Sequence, residues 1–193
     1  MTFSNPQTEE RLRRGFRYLN RFMVVMYRLG LARWLQPWPT VSGRILVLVH
    51  RGRKSGLVRR TPLNYAVVDG ELYVTAGFGA VADWYRNVQA DPMVEVWLPD
   101  GWWTALAEEA GDDPDRRRLL RAVLAGSGFA AYAFGVSPRL PDERLDELTA
   151  KYRILRLRRT GARTGAGGPG DLAWVWPLAT TLLLWRRCRR RRS

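Results

Sequence analysis

Hydrophobic positions recur in two different rhythms along this chain. Over residues 9–36, Leu12, Phe16, Leu19, Met23 and Met26 recur at spacings of three and four. Arg11, Arg14, Arg17, Arg21 and Arg28 fall largely between them, which predicts an amphipathic helix. Pro37 and Pro39 are expected to end it, since neither can continue a helical ladder. From Arg44 the rhythm shortens. Ile45–Val49, Val58–Val68 and Glu71–Ala76 predict three strands, with a tight turn at Gly52–Gly56 and an Asp69-Gly70 hairpin turn. Ala80–Ala90 predicts a short helix closed by Asp91-Pro92. Met93–Leu98 and Trp102–Glu109 form a further hairpin around Pro99-Asp100-Gly101. Pro114–Ala125 and Pro141–Lys151 predict helices on either side of the aromatic and glycine-rich Gly126–Pro138. Arg153–Arg159 alternates as a closing strand, with Ile154 or Leu155 and Leu157 on its buried side.

Five or six antiparallel strands joined by short hairpins, with helices inserted late, predict an α+β protein built on a small barrel. A βαβ rhythm and a G-x-G-x-x-G turn are both missing, which argues against a Rossmann domain. The expected organisation is a basic amphipathic helix over residues 1–40 and a barrel over residues 41–160. A flexible glycine-rich linker over 161–171 and an apolar, arginine-rich tail over 172–193 would follow. The tail contains fourteen uncharged residues, Leu172–Trp185. As a helix it would span roughly 21 Å, short of the ~30 Å of a bilayer core, and Pro177 weakens a continuous helix. Two readings remain open for it: an interfacial anchor using Trp174, Trp176 and Trp185, or a segment that wraps a barrel groove or a partner.

Charge sharpens this picture. The chain carries a net charge of +14, which calls for an anionic partner. Six arginines follow Trp185, and seven arginines stand against two glutamates between residues 9 and 33, so the middle is close to neutral. One internal cluster breaks that neutrality: Arg51, Arg53, Lys54, Arg59 and Arg60, with no acid among them. Cys188 and His50 are the only cysteine and histidine, which excludes a Cys/His zinc site and an intramolecular disulfide. A hydrolytic triad could use only His50, and no G-x-S-x-G elbow exists. The polar start, Met1–Thr8, does not read as a signal peptide, so the expected compartment is the cytoplasm.

The basic cluster carries the candidate chemistry. Gly52 and Gly56 let the backbone turn sharply and bring N–H groups near a ligand. Arginine offers bidentate contacts to phosphate oxygens and lysine a point charge, while Ser55 and Thr61 add hydroxyl donors. A solvated basic hairpin is the alternative reading. Nucleic acid is not expected, because the patch is one short loop with no recognition helix.

Gly52-Arg53-Lys54-Ser55-Gly56, then Arg59-x-Thr61-Pro62-Leu63, Asp69-Gly70, Trp84-Tyr85-Arg86-Asn87 and Asp91-Pro92 follow one another in order. As a set, these residues resemble the deazaflavin-dependent nitroreductases, also described as coenzyme F420-dependent quinone reductases. The resemblance spans Arg44–Ala110 and implies a split β-barrel related to the FMN-binding barrels. It implies that Arg53, Lys54, Ser55, Gly56, Arg59 and Thr61 hold the phosphate and acidic tail of the deazaflavin. Pro62 and Leu63 would line the entrance to a ring pocket. Thr75, Ala76, Gly77, Phe78 and Gly79 would approach the ring, and Trp84, Tyr85 and Asn87 would close the wall. On the substrate side the candidates are Tyr132, as a proton donor, with Phe129 and Phe134. His50 stands where this family commonly has threonine, and the stretch from Gly79 to Trp84 is shorter than in many members.

The implied activity is hydride transfer from reduced coenzyme F420 to a quinone or nitro-type acceptor, the cofactor carrying the reactivity. FMN offers a phosphate to the same loop and is the alternative cofactor. A non-catalytic carrier of cofactor or lipid at a membrane surface is the alternative of another class. An anionic membrane face could receive the basic helix and the tail, placing the protein peripherally on the inner face of the plasma membrane. A homodimer is left open.

Overall fold

In the computed structural model, residues 18–35, 43–111, 114–128, 131–132 and 135–190 are described. Six strands close into a barrel in the order β1-β2-β3-β6-β5-β4, every neighbouring pair antiparallel. They are β1 (Ile45–Arg51), β2 (Val58–Val68), β3 (Glu71–Ala76), β4 (Met93–Leu98), β5 (Gly101–Glu109) and β6 (Arg153–Ala162). Among the described residues, five helices of eight residues or more accompany them: α1 (18–28), α2 (Asp83–Ala90), α3 (Arg116–Gly126), α4 (Asp142–Thr149) and α5 (Val175–Arg190). The α+β barrel expected from the strand rhythm is therefore present.

Alternation along each strand divides the apolar residues between two faces. Leu46 and Leu48 of β1 point into the barrel with Leu72, Val74, Val96, Leu155 and Leu157. Val47 and Val49 point outward, where Tyr27 of α1 packs over them with Trp97 and Trp102. Because both faces are covered, β1 reads as a continuous apolar run rather than an alternating one. On another side, Leu119, Leu120 and Val123 of α3 cover Ala66, Val68, Tyr73 and Ile154. Hence Ile154 is buried along with Leu155 and Leu157, on the opposite face of β6. The Asp69-Gly70 hairpin turns with φ values of 51° and 83°, the left-handed pair that a two-residue loop requires.

Several expected boundaries move for identifiable reasons. The first helix does not run to residue 36; it ends at Gly30. Gly30 adopts φ 75°, Leu31 N–H donates to the Met26 carbonyl and Gly30 N–H to the Tyr27 carbonyl. This paired closure is a Schellman cap, which a glycine supplies without steric cost. Pro37 and Pro39, and the helical positions before residue 18, lie outside the described residues. The expected helix Ala80–Ala90 is a short 3-10 turn, Gly79–Val81, and then α2, separated by the extended Ala82. The closing strand continues to Ala162, past the expected end at Arg159.

The glycine-rich stretch after β6 is not a loose tether. Gly170 N–H donates to the Tyr27 carbonyl, Leu172 N–H to the Arg28 carbonyl, and Asp171 forms a bidentate pair with Arg28. Composition reported only that the backbone could turn freely here; these contacts fix how it turns. Pro177 sits in the first turn of α5, where its missing N–H leaves no helical bond broken, so it does not interrupt the helix.

Helix α3 meets the barrel through Gly126. A Cβ there would stand 2.4 Å from the Tyr65 carbonyl oxygen, which is backbone and has little freedom to yield. Gly126→Ala should therefore destabilise the fold by about 1–3 kcal/mol, the range for overpacking a fitted contact. Urea denaturation of wild type and variant checks this, and equal midpoints would contradict it.

Candidate functional site

The turn between β1 and β2 is the structural origin of the site. Gly56 adopts φ 66°, and Ser55 and Gly56 N–H groups both donate to the Gly52 carbonyl. Gly52 N–H donates to the Leu57 carbonyl at 2.9 Å, closing the loop. A Cβ on Gly52 would come within 2.8 Å of the Ser55 hydroxyl, which would have to turn aside to admit it.

One buried amide pins the turn to α2. The Asn87 side-chain oxygen accepts from the Arg53 backbone N–H at 3.1 Å and from its guanidinium at 2.9 Å. Arg53 also pairs with the Asp83 carboxylate at 3.1 Å. Its role in the fold is thus to hold loop and helix together.

A cleft of about 630 Å³ lies between the turn, β2 and α2. Arg53, Lys54, Arg59 and Arg60 face it, against the single carboxylate of Asp83. Among the described residues, Lys54 and Arg59 have no carboxylate within salt-bridge distance. Arg60 stacks over the Trp97 ring at 5.2 Å. Ser55, Thr61 and Asn87 add polar groups to the same walls. The result is a preformed concentration of positive charge in a concave site, which favours an anion.

A second cavity, about 230 Å³ and mostly apolar, continues along the same strand. Where Arg59, Arg60 and Thr61 line the charged cleft, the next residues Pro62, Leu63 and Asn64 line the apolar one. Trp84 belongs to both and forms the partition between them. Thr75, Gly77, Phe78, Leu124, Ser127 and Val136 complete its lining.

Most of the expected site residues fall on these two cavities, and some do not. Gly56 shapes the turn without lining either one. Ala76 points into the barrel core. Gly79 adopts φ 64° against the Lys151 carbonyl, which a Cβ would approach to 2.4 Å, so it serves packing against the turn that precedes β6. Tyr132 is 53% exposed and lines neither cavity. Phe129 and Phe134 lie outside the described residues. Lining groups that the sequence did not single out include Asp83, Asn64 and Tyr152. The Tyr152 ring lies 3.5 Å from where a Gly77 Cβ would stand, at the wall of the apolar cavity. Burial pushes its phenol up from the ordinary tyrosine value, so it stays protonated.

His50, whose role the sequence left open, also lines the charged cleft. It is only 4% exposed, and its Nε2 lies 3.0 Å from the Thr61 hydroxyl oxygen. Burial lowers its pKa below the ordinary 6.5; the Arg51 backbone opposes this in part, and the Arg59 charge adds to it.

Comparison with known proteins adds a family. Residues 19–142 match the family model described as F420H(2)-dependent quinone reductase. Among solved structures, the chain is 24% identical to a conserved hypothetical protein, Rv2991, from Mycobacterium tuberculosis. That likeness covers 64% of this chain and 75% of that one, with a TM-score of 0.46. An F420-H2 dependent reductase (FDR-A) is 21% identical over 60% of this chain and 94% of its own, with a TM-score of 0.44. A protein from Listeria innocua described as a pyridoxamine 5'-phosphate oxidase is 12% identical over 62% of this chain and 86% of its own, with a TM-score of 0.45.

The histidine gives a direct electrostatic check. Its folded-state pKa lies below its unfolded value, so the unfolded chain binds the extra proton more readily. His50 therefore contributes stability above about pH 6.5 that is lost as the pH falls below it. Because it is the only histidine, its imidazole gives one unambiguous NMR titration. The midpoint should lie below 6.5 and rise in Arg59→Gln. A midpoint at or above the ordinary value in the wild type would contradict this electrostatic account.

Proposed function

The chain belongs to the F420H(2)-dependent quinone reductase family, whose cofactor is coenzyme F420, and we propose that it passes a hydride from the reduced cofactor to a quinone or nitro-type acceptor. One observation carries this reading: a cation-lined cleft and an apolar cavity adjoin along β2 and share Trp84. Coenzyme F420 has the same division, an aromatic ring at one end and a phosphate with an acidic tail at the other. The donor set fits it. Four cations answer the anionic end, and the Gly52 cradle leaves room beside them.

When bound, the reduced deazaflavin supplies the hydride; the protein supplies position and exclusion of water. Lys54 and Arg59 are the phosphate and tail ligands, with Arg60 beside them. Ser55 and Thr61 offer hydroxyl donors. Arg53 acts chiefly through Asn87 and Asp83, keeping the turn where these groups converge. Pro62, Leu63 and Trp84 form the dry wall of the ring pocket. Gly77, lacking a side chain, lets a planar ring approach the backbone.

Reduction of a quinone to a hydroquinone consumes one proton besides the hydride. We assign that proton to Tyr152, whose phenol borders the apolar cavity. Tyr132, the expected donor, lies outside both cavities. No acid–base pair is needed, because the acceptor requires a proton and not the removal of one. The proposed workplace is the inner face of the plasma membrane, where an apolar quinone dissolves, with the protein held there peripherally.

FMN binding remains the specific competitor, because FMN also offers a phosphate. Titration of intrinsic tryptophan fluorescence with F420 and with FMN separates the two. F420 should bind, and Lys54→Ala/Arg59→Ala should weaken it on the order of 100-fold, as expected for two charge-assisted contacts. Selective binding of FMN would move the protein to the flavin branch, and binding of neither would remove the cofactor assignment. Tyr152→Phe should lower the rate of acceptor reduction at least 10-fold, toward the range for general acids, with little change in cofactor affinity. An unchanged rate would return the proton to solvent or to Tyr132.

A further inference from the structure

One surface has no part in the reductase chemistry. Helix α5 exposes Leu178 (61%), Leu183 (63%) and Leu184 (64%), together with Leu182, Trp176 and Trp185, and Trp174 is exposed just before it. Helix α1 adds Tyr18, Leu19, Phe22 and Val25. A soluble monomer rarely leaves so much contiguous apolar surface uncovered.

The start of α5 is fixed to the end of α1. Arg28 pairs with Asp171 at 2.8 Å, and the Trp176 indole N–H donates to the Leu29 carbonyl at 2.9 Å. The apolar side chains are therefore presented from a defined joint, and not from a loose tail. The helix also satisfies its own hydroxyls: Thr180 and Thr181 both donate to the Pro177 carbonyl. Hence the two hydroxyls of its apolar stretch need no partner from a dry environment. Immediately beyond come Arg186, Arg187 and Arg189, all exposed, with the Arg189 guanidinium 4.6 Å above the Trp185 ring.

We propose that α5, joined at its start to the outer face of α1, is a docking surface for an anionic lipid bilayer. This deepens the peripheral placement proposed above by naming the surface that makes the contact. A second copy of the chain fits less well, because face-to-face pairing would bring two clusters of arginines together. Crossing the bilayer is not the mode. Among the described residues no helix is long and apolar enough to span a membrane, and sixteen residues of α5 reach only about 24 Å. The helix lies in the interface, its leucines and tryptophans toward the acyl chains and its arginines among the headgroups.

Flotation of the full chain with vesicles tests this, using phosphatidylcholine alone and phosphatidylcholine containing phosphatidylglycerol. Wild type should float with the anionic vesicles and much less with the neutral ones. R186Q/R187Q/R189Q should lose on the order of 100-fold in partitioning, from the usual gain per basic residue near an anionic surface. L183E/L184E should abolish flotation. All five leucine and arginine positions tested are exposed, and thermal melts matching wild type verify that the fold is intact. Failure of wild type to bind anionic vesicles, or wild-type binding by L183E/L184E, overturns the proposal. So does a dimer in sedimentation velocity that L183E/L184E dissociates, which would make a second copy the occupant. Oxidation of F420H2 by a water-soluble quinone, measured on the same samples, separates this from the reductase reading. Vesicle binding without oxidation removes the reductase and leaves the docking surface standing.

Discussion

The Asn87 amide is the contact on which the site depends. It is 8% exposed, and an amide buried that deeply costs folding energy unless its polar atoms are paired. Its oxygen is paired with the backbone and the side chain of one residue, Arg53. That acceptor, together with the Arg53–Asp83 pair, fixes the β1–β2 turn against α2. The position of the turn then sets where Lys54 and Arg59 face α2 across the charged cleft. Without it, the turn would keep its own closing hydrogen bonds. Its tie to α2 would fall to the Arg53–Asp83 contacts, against the repulsion of four like charges within eight residues.

From that constraint the remaining geometry follows along β2. The strand carries cations where it leaves the turn and apolar residues where it enters the barrel wall, so a change in sequence character becomes a change in cavity character. Trp84 of α2 stands at the crossing point. An elongated molecule with an anionic end and a planar apolar end meets a matching environment at each. Electrostatics does the same sorting on the protein's own groups. His50 is kept toward its neutral form by burial and by Arg59, while Tyr152 is kept protonated on the apolar side.

The strands, the Asp-Gly turn and the basic loop were legible in the sequence because each is decided within a few residues. Alternation marks strands, and a left-handed turn pair demands glycine or aspartate. Tyr152 was not legible, because its place is set by pairing across 77 positions of chain, in which Ala76 stands opposite Arg153. That register brings Tyr152 beside Gly77, and nothing local to either residue announces it. The end of the first helix was misplaced because Gly30 closes it before the prolines are reached. The glycine-rich stretch after β6 shows the limit from the other side: composition revealed freedom, while Asp171 and Arg28, far apart in sequence, decided its path.

The central claim is that the two adjoining cavities hold a reduced deazaflavin against an acceptor. Anaerobic mixing of the protein with F420H2 and a water-soluble quinone, followed by the absorbance of the oxidised deazaflavin, tests it most directly. The account predicts protein-dependent return of that absorbance, with one equivalent of hydroquinone formed per cofactor oxidised. F420H2 that binds and stays reduced in the presence of quinone and nitro acceptors alike would contradict it, leaving a carrier in place of a reductase.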